Sequence, residues 1–535
     1  MKTNRARPWY VLAAATLLVA AACGGDDDDD DGGGAGSTEP AGSAGGPEVT
    51  GGGTAAAGSG GRVVFGTGFE PLNLDAHLAE NAGNYVVTWS VNQPLVDLGV
   101  DGSLVPVLAS EPPVQSETDP TRWQVKLREG VTFSNGEPFN AAAVVANVER
   151  IQDPDFISLV EASTLASAEA VDDYTVDLIT DGVDPILDLR LPHLRMVPPE
   201  AAAADDYGQQ TAIGTGPMIV ERWDRGQRII MKPNPEYWGE DKASLDEVEL
   251  RFIPDISTRV AALQAGEIDI ADGLPIDQVE SVPAYIQSPS PTEAGANRFN
   301  LYTFPYSDVR FRQALNYAID KEALNESLFG GLYSVNHCQP VVEQAQGFNP
   351  ELENYPYDPE RAKELLAEVD LPEDFVLQWE GSVGVYERDR ELTLAMAQYW
   401  EDIGLEVDAV INEVNAYLDK IFNPDSGLIL AATNQSMYDS ARQASFYMDR
   451  NGDVSAIGPE LYPELDGLVE TALTTLDDQE REDTYHEIWK IACDEAFFVY
   501  TLDFYDVWGT SERVQYEPGI GELFRVSFNR MSVTD

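Results

Sequence analysis

Residues 121–151 constrain the fold more than any other stretch of the sequence. Their first part, WQVKLR beginning at Trp123, alternates apolar and polar residues, and this period of two predicts a half-buried β-strand. Asn135 and Gly136 predict a tight turn, because both residues tolerate a positive φ at low cost. Asn140 predicts the N-cap of a buried helix rich in Ala and Val. The stretch therefore predicts a strand, a turn and a helix in succession.

The same succession of strands and helices recurs along the chain. Residues 245–269 predict strand, helix and strand, and residues 311–329 predict one long helix with apolar residues at helical spacing. Strands separated by helices favour α/β units with partly parallel sheets. A chain of 535 residues is long enough for two or three packed units. We therefore expect an α/β protein with more than one core.

Four sequence blocks resemble signatures of the family 5 solute-binding proteins of ABC importers. The resemblance extends over about residues 62–535, and the blocks occur in the order that the family shows. This family includes dipeptide-, oligopeptide- and nickel-binding proteins. The blocks are LREGVTFSNGEPFNAAAVV from Leu127, GTGP at 214–217 with NPEYWG at 234–239, DVRFRQALNYAID at 308–320, and YDPERAKELL at 357–366.

The resemblance implies an α/β, two-lobed fold like that of periplasmic binding proteins. Within that class it implies type II, similar to cluster C, with an extra subdomain in the first lobe. It places lobe I at residues 62–296 and lobe II at residues 297–504, and residues 505–535 return to lobe I. Two such lobes close on a solute by a hinge motion.

Residues 1–22 have the pattern of a secretory signal peptide. Three basic residues precede an apolar run at 9–22, which is too short and too closely followed by aspartates to favour a membrane span. The sequence VAAAC, ending at Cys23, is similar to a lipobox, where a signal peptidase cuts before a cysteine that becomes lipid-modified. Ala20 stands where Leu or Val is usual, and cleavage near Ala22 without lipidation is the alternative.

Residues 23–61 predict a lipidated cysteine followed by a disordered tether. The segment is almost entirely Gly, Asp, Ala, Ser and Thr, which bury too little apolar surface to offset the entropy cost of folding. Six consecutive aspartates, residues 26–31, repel one another and extend the tether. Calcium capture by this run is the alternative to a solvated tether.

The two remaining cysteines predict a disulfide. No CxxC pair occurs, which argues against a zinc ribbon or a thioredoxin-type site. Cys338 and Cys493 both fall in the expected lobe II, and two cysteines that remain outside the membrane after lipidation favour one bridge. Two buried free thiols are the alternative.

The sequence lacks motifs for catalysis and metal binding. It has no GxSxG elbow, no HExxH helix and no P-loop. Residues 449–460 place oxygen ligands at positions 1, 3, 5 and 12 of a calcium loop, but Val454 stands where that loop needs a glycine. We therefore expect no catalytic residues, no metal site and no cofactor.

The resemblance also identifies candidate ligand-binding residues. In oligopeptide-binding members, a tryptophan and an aspartate three residues later hold the ammonium group of the peptide. Thr433 and Ser436 occupy these positions, so the carboxylate is missing unless Asp439 supplies it, and the neutral stretch predicts a polar, largely uncharged solute. Packing in the core is the alternative role, above all for Trp379 and Tyr500, which lie in apolar strands. The residues predicted to contact the solute are Glu70, Asn73, Phe156, Trp379, Tyr386, Thr433, Asn434, Gln435, Ser436, Tyr438 and Tyr500.

The formal net charge of −60 disfavours partners of the same sign. Only eight of the 93 acidic residues precede residue 62, so the body of the protein is itself strongly acidic. Such a surface repels nucleic acids and anionic lipid headgroups.

The resemblance, with these features, predicts a non-enzymatic, extracytoplasmic solute-binding lipoprotein at the outer face of the cytoplasmic membrane. We expect a monomer that captures a peptide-like or oligosaccharide-like solute and delivers it to ABC permease subunits. A surface-anchored secreted hydrolase and a solute sensor without a transport role are the alternative functions.

Overall fold

The computed structural model describes residues 60–78, 82–153, 156, 164–421, 423, 426–435, 437–449, 461–520 and 526–534. The predicted signal peptide, Cys23, most of the tether, Ser436 and nearly all of the candidate calcium loop lie outside these residues. Within the described ranges, none of the helices has the length and apolar content to cross a membrane.

The first part of the chain forms two sheets, a short hairpin and several helices. In chain order its elements are β1 Arg62–Thr67, α1 Ala82–Val91, β2 Val96–Leu98, β3 Leu104–Pro106, β4 Val114–Gln115, β5 Arg122–Lys126, α2 Ala141–Arg150, β6 Leu165–Asp172, β7 Thr175–Thr180, α3 Leu187–Arg190, α4 Pro199–Ala202, β8 Met218–Asp224, β9 Arg228–Pro233, β10 Glu247–Phe252, α5 Ile256–Gln264, β11 Ile270–Ala271 and β12 Ala284–Gln287.

The second part begins with a strand of another sheet and is richer in helices. Its elements are β13 Glu293–Arg298, α6 Val309–Tyr317, α7 Lys321–Phe329, β14 Ser334–Val335, α8 Pro359–Ala367, β15 Val376–Val383, α9 Asp389–Asp402, β16 Glu406–Glu413, α10 Val414–Ile421, β17 Leu428–Ile429, β18 Ala432–Asn434, α11 Ala441–Gln443, α12 Pro463–Thr474, α13 Asp478–Asp494, β19 Phe498–Phe504, β20 Val507–Thr510, β21 Val514–Gln515 and β22 Ser532–Val533.

The predicted strand, turn and helix of residues 121–151 are confirmed. Trp123 and Val125 of β5 are buried, and the residue that follows each of them faces outward. Gly136 has a φ of 90°, the left-handed conformation that the turn requires. Asn140 caps α2, because its side chain accepts a hydrogen bond from a backbone N–H in the first turn.

The single long helix predicted at residues 311–329 is wrong, because the structure has two helices, α6 and α7. The Asp320 side chain caps α7 by accepting a hydrogen bond from the Ala323 N–H at 2.9 Å. The buried Lys321 ammonium group donates to the Asn316 carbonyl oxygen at 3.0 Å, at the end of α6. Both contacts satisfy backbone groups that a helix end leaves without a partner.

Two large mixed sheets organise the protein into two lobes. The first sheet has the order β12-β20-β11-β1-β10-β9-β8, with β1 parallel to β10 and β11. The second has the order β14-β19-β13-β17-β15-β16, with β15 parallel to β16 and β17, and β18 pairs with β13. A third, antiparallel sheet, β4-β5-β7-β6, packs with α2 around its own apolar core. The predicted partly parallel sheets are therefore confirmed.

The chain passes between the two large sheets twice, once between β12 and β13 and once between β19 and β20. Glu293 and Phe504 are the residues of the second sheet that lie next to these crossings. Our proposed lobe boundaries, at residues 297 and 505, lie close to both crossings.

A disulfide joins Cys338 and Cys493 within the second lobe. Cys338 follows β14, and Cys493 lies in the last turn of α13. Both residues are buried, and their Cα atoms are 5.4 Å apart. The bridge links two parts of the lobe that are separated by 155 positions in the chain.

Candidate functional site

A cavity of about 490 Å³ lies between the two lobes. This volume falls in the range of pockets that hold small molecules. The side of the first lobe is formed by Leu98, Asp101, Gly102, Leu189 and Ile520, and the side of the second by Gln344, Ala345, Gln346, Met437, Tyr438 and Glu482. The lining thus combines apolar groups with amides and carboxylates.

Direct contacts join the two lobes. A guanidinium nitrogen of Arg190 lies 3.7 Å from the Met437 sulfur atom, and Arg388 forms an ion pair with Asp277 at 2.8 Å. Burial raises the pKa of Asp188 to about 6, although Arg481 in the second lobe favours its ionised form. The lobes therefore meet through both packing and charge.

The side chains of the predicted stretch 433–435 differ in how deeply they are buried. The Thr433 hydroxyl and the Gln435 amide nitrogen donate to the Pro340 carbonyl oxygen at 2.6 and 3.2 Å, and both residues are buried. The half-buried Asn434 instead accepts a hydrogen bond from Arg442 at 3.2 Å. Asn434 is the least buried of the three, and contact with a solute stays a prediction for all of them.

Tyr438 is the predicted site residue that lines the cavity. It has a φ of 50°, a left-handed conformation that is costly for a residue with a side chain. Its hydroxyl oxygen lies 2.9 Å from the Ser290 hydroxyl and donates to the Pro291 carbonyl oxygen at 3.0 Å. These contacts anchor the ring beside the crossing from β12 to β13.

Asp439, the residue that could supply the missing carboxylate, bonds within its own segment and to α13. It is 2% exposed and accepts hydrogen bonds from the Ala441 N–H at 2.6 Å and from the Tyr485 hydroxyl at 3.2 Å. Burial raises the pKa of its carboxyl to about 6. One carboxylate oxygen accepts both of these bonds, and the other is sealed from solvent without a hydrogen-bond donor among the described residues.

Trp379 and Tyr500 lie in the core of the second lobe. Both are fully buried, and both direct their polar atom to a backbone carbonyl: the Trp379 indole donates to Thr393 at 2.9 Å, and the Tyr500 hydroxyl donates to Ala492 at 3.0 Å. Contact with a solute stays a prediction for both residues.

Tyr386 follows β15 of the second sheet and belongs to a group of aromatic rings. Its ring stacks on Phe504 with 6.1 Å between centroids, and its hydroxyl accepts a hydrogen bond from the Ala432 N–H at 3.2 Å. A second tyrosine hydroxyl, that of Tyr417, lies 3.1 Å away. Burial raises the pKa of Tyr386 above its usual range.

The three predicted residues of the first lobe lie apart from the described lining of the cavity. Glu70 accepts hydrogen bonds from the Trp223 indole at 3.1 Å and from a backbone N–H. The buried Asn73 side chain accepts from the Asp75 N–H at 2.9 Å. Phe156 packs under the Arg150 guanidinium group, 4.0 Å from its ring centroid. Their predicted contact with a solute is untested.

Sequence reasoning missed Glu293, the first residue of β13. Its direct neighbours across the sheet are Asn434 on β18 and Phe504 on β19. The sequence feature that could have indicated Glu293 is a carboxylate at the start of EAGAN, a strand of otherwise small residues. Both neighbours lie more than 140 positions away in the chain, so only the folded structure shows what surrounds Glu293.

In the described part of the chain, no group of three or more His, Cys, Asp or Glu side chains could hold a metal ion.

A family model matches about two thirds of the chain. The model of bacterial extracellular solute-binding proteins, family 5, matches residues 103–453. Glutathione-binding protein GsiB from Escherichia coli (strain K12) is 32% identical over 327 residues, which cover 58% of this chain and 62% of that protein. GsiB from Salmonella typhi is 31% identical with the same coverage. The chain thus aligns with less than two thirds of the length of these curated relatives.

Solved structures share the fold. The substrate-binding protein CtaP of Listeria monocytogenes superposes with a TM-score of 0.79 at 22% identity, covering 89% of this chain and all of that one. DppA from Helicobacter pylori, in complex with the peptide STSA, gives 0.73 at 23% identity over 89% and 99% of the two chains. NikA from Brucella suis, in complex with Fe(III)-EDTA, gives 0.78 at 23% identity over 88% and 100%. With its two lobes, the cavity between them and the match to the family model over 103–453, this chain belongs to family 5 of the bacterial extracellular solute-binding proteins.

Proposed function

We propose that this protein is the substrate-binding component of an ABC-type importer. It captures a polar solute between its two lobes and delivers it to the permease in the membrane. The observation that carries the proposal is the 490 Å³ cavity, which both lobes line with polar and apolar groups. A cleft that is built from two hinged units changes shape when a solute binds, and a permease can recognise that change.

The proposed solute is peptide-like, with an oligosaccharide-like solute as the second choice. The related GsiB proteins are named for binding glutathione, and the DppA structure holds a tetrapeptide. In this chain Gln344, Gln346, Asp101 and Glu482 offer amide and carboxylate groups to the cavity. Such groups fix the orientation of a polar solute whose remaining surface packs on apolar side chains.

Binding of the solute is expected to compact the protein and raise its melting temperature. A ligand at about 100 times its dissociation constant adds about 2.7 kcal/mol to the free energy of unfolding, because it binds only the folded state. The solute is first identified by native mass spectrometry of freshly purified protein. Small-angle scattering and thermal melting then measure its effect, and the scattering mass checks the proposed monomer.

A matched pair of variants separates cleft binding from unspecific effects. Gln344→Trp places an indole at the exposed rim of the cavity and should abolish both the compaction and the rise in melting temperature. Gln479 is exposed on α13, and Gln479→Trp should leave both effects unchanged. A bound solute that changes neither the radius of gyration nor the melting temperature would contradict a hinged trap. Turnover of the solute would favour a hydrolase, and normal uptake in a deletion strain would favour a sensor.

We also propose that the protein is a lipoprotein, anchored through Cys23 to the outer face of the cytoplasmic membrane. A single acyl chain binds membranes with a constant of only about 10⁴ M⁻¹, so a stable anchor needs a diacylglycerol-type modification. Cys23→Ala is expected to move the protein from the membrane fraction to the medium, or to block its processing. Fractionation followed by immunoblotting measures this, with Ser37→Ala, in the same predicted tether, as the control. Equal membrane retention of Cys23→Ala and the unmodified sequence would refute the anchor.

A further inference from the structure

We propose that the cleft recognises a cationic group of the solute, an ammonium-type organic cation, through the carboxylate of Glu293 beside a wall of aromatic rings, with Asp506 as a second carboxylate. This inference rests on the proposed solute-binding function and narrows the class of solute. It differs from the prediction of a largely uncharged solute, which followed from the neutral residues at 433–436.

The position of Glu293 follows from strand register. Glu293 pairs directly with Phe504 on one side and with Asn434 on the other. Residues directly opposite in antiparallel strands share a face, with Cβ atoms about 4.5–5.5 Å apart. Glu293, Phe504 and Asn434 therefore form one row across the end of the second sheet, next to both crossings between the lobes.

Aromatic rings extend this row. Tyr386 stacks on Phe504, and Tyr333 meets Phe504 edge-on with 5.2 Å between centroids. Tyr417 meets Tyr386 in the same way at 6.3 Å. The faces of aromatic rings attract cations, most strongly where water is excluded. A carboxylate beside such rings is the arrangement that binds an organic cation.

Asp506 provides independent evidence for a missing positive partner. One of its carboxylate oxygens is sealed from solvent and has no hydrogen-bond donor among the described residues. Asp506 lies in the crossing between β19 and β20, and its backbone N–H is held by the Ser288 hydroxyl at 3.1 Å. A sealed carboxylate oxygen without a partner is unfavourable, so its presence in a crossing between the two lobes points to a charge that the solute supplies.

No basic side chain in the described ranges forms an ion pair with Glu293 or Asp506. Burial raises the pKa of Glu293 to about 7, and burial together with two neighbouring carboxylates raises that of Asp506 to about 8. The titratable groups around them are Asp272, Tyr333, Tyr386, Tyr417 and Tyr447. Asp272 has its own partner, Arg259, at 3.1 Å.

Two arginines on or beside this part of the second sheet are directed elsewhere. Arg442 donates to the Asn434 side chain, and Arg298, at the opposite end of β13, donates through one nitrogen to the carbonyl oxygens of Lys420, Ile421 and Asn423. The negative field of the whole protein adds to the local effect, since it draws cations toward the cleft.

Glu293→Gln tests the proposal, with Glu406→Gln as the control. Glu406 is an exposed glutamate on β16 of the same sheet. The probes are pairs that differ only in charge: tri-alanine with N-acetyl-tri-alanine, and choline with 3,3-dimethylbutanol. A cationic member is expected to bind and its neutral twin to bind at least tenfold more weakly. Glu293→Gln should weaken the cationic probe about 30-fold or more, Asp506→Asn should weaken it less, and Glu406→Gln should leave it unchanged.

The stability of the solute-free protein gives a second readout. The pKa of the Glu293 carboxyl is higher in the folded protein than in the unfolded chain. Its contribution to the free energy of unfolding is therefore favourable at low pH, where the carboxyl is protonated, and is lost as the pH rises through the folded pKa. Glu293→Gln should therefore raise the melting temperature at pH 8 and change it less at pH 5. A residue with a purely structural role would instead lower the melting temperature at both pH values.

The outcomes separate this inference from the proposed function. If neutral solutes bind and close the lobes while Glu293→Gln has no effect on any probe, the cation site is wrong and solute binding stands. A fall in the melting temperature at pH 8 with unchanged binding would also overturn the site. If no probe binds and native mass spectrometry finds no retained solute, the proposed function itself fails, and the cation site fails with it.

Discussion

Replacement of Cys338 and Cys493 together by alanine is expected to lower the free energy of unfolding by about 3–5 kcal/mol. The bridge closes a loop of 155 residues, and the entropy that it removes from the unfolded chain grows with the length of the loop. It also fixes the start of a long irregular segment after β14 to the end of α13. Urea unfolding, followed by tryptophan fluorescence at pH 7, measures the change in both the unmodified protein and the variant.

A reductant distinguishes the bridge from simple loss of packing. Dithiothreitol should destabilise the unmodified protein to nearly the level of the double variant and should leave that variant unchanged. A double variant within about 0.5 kcal/mol of the unmodified protein, as is usual for surface changes, would show that the covalent link contributes little.

Local patterns in the sequence were sufficient to predict much of the fold. The alternation around Trp123 and the cap at Asn140 gave β5 and α2, because period and capping depend on neighbours in the chain. The break between α6 and α7 was missed, although Asp320 is a typical cap. Apolar residues continue at helical spacing through the break, and the buried Lys321 ammonium group that supports it finds its carbonyl partners only in the folded chain.

The candidate site was less predictable, because strand pairing builds it. The resemblance predicted Asn434, Tyr386 and Tyr438 as contacts of the solute, and that role stays a prediction, although Tyr438 lines the cavity and Asn434 pairs with Glu293 beside a crossing. Glu293 was missed, since the residues beside it, Asn434 and Phe504, are distant in the chain. A neutral 433–436 stretch suggested an uncharged solute, but the acid proposed here comes from another strand.

Trp379→Ala is expected to lower the free energy of unfolding by about 3–5 kcal/mol without a specific effect on solute binding. The indole is fully buried, donates to the Thr393 carbonyl oxygen and meets the Trp400 ring edge-on at 5.2 Å. Loss of a buried tryptophan removes apolar contacts and leaves a cavity that the neighbours fill only in part. Urea unfolding measures the loss. Leu394→Ala, on α9 and 48% exposed, serves as the control and should change the free energy by less than about 0.5 kcal/mol.

The binding measurement decides between the two roles that the sequence left open for Trp379. The solute retained by the purified protein is titrated at a temperature where the variant is still folded, so that only folded molecules are compared. If the indole belongs to the core, the dissociation constant should stay within about threefold of the unmodified value, since a contribution shared by the free and bound states cancels in binding. A loss of tenfold or more in affinity, with a small change in stability, would place Trp379 against the solute and require the cleft to reach β15.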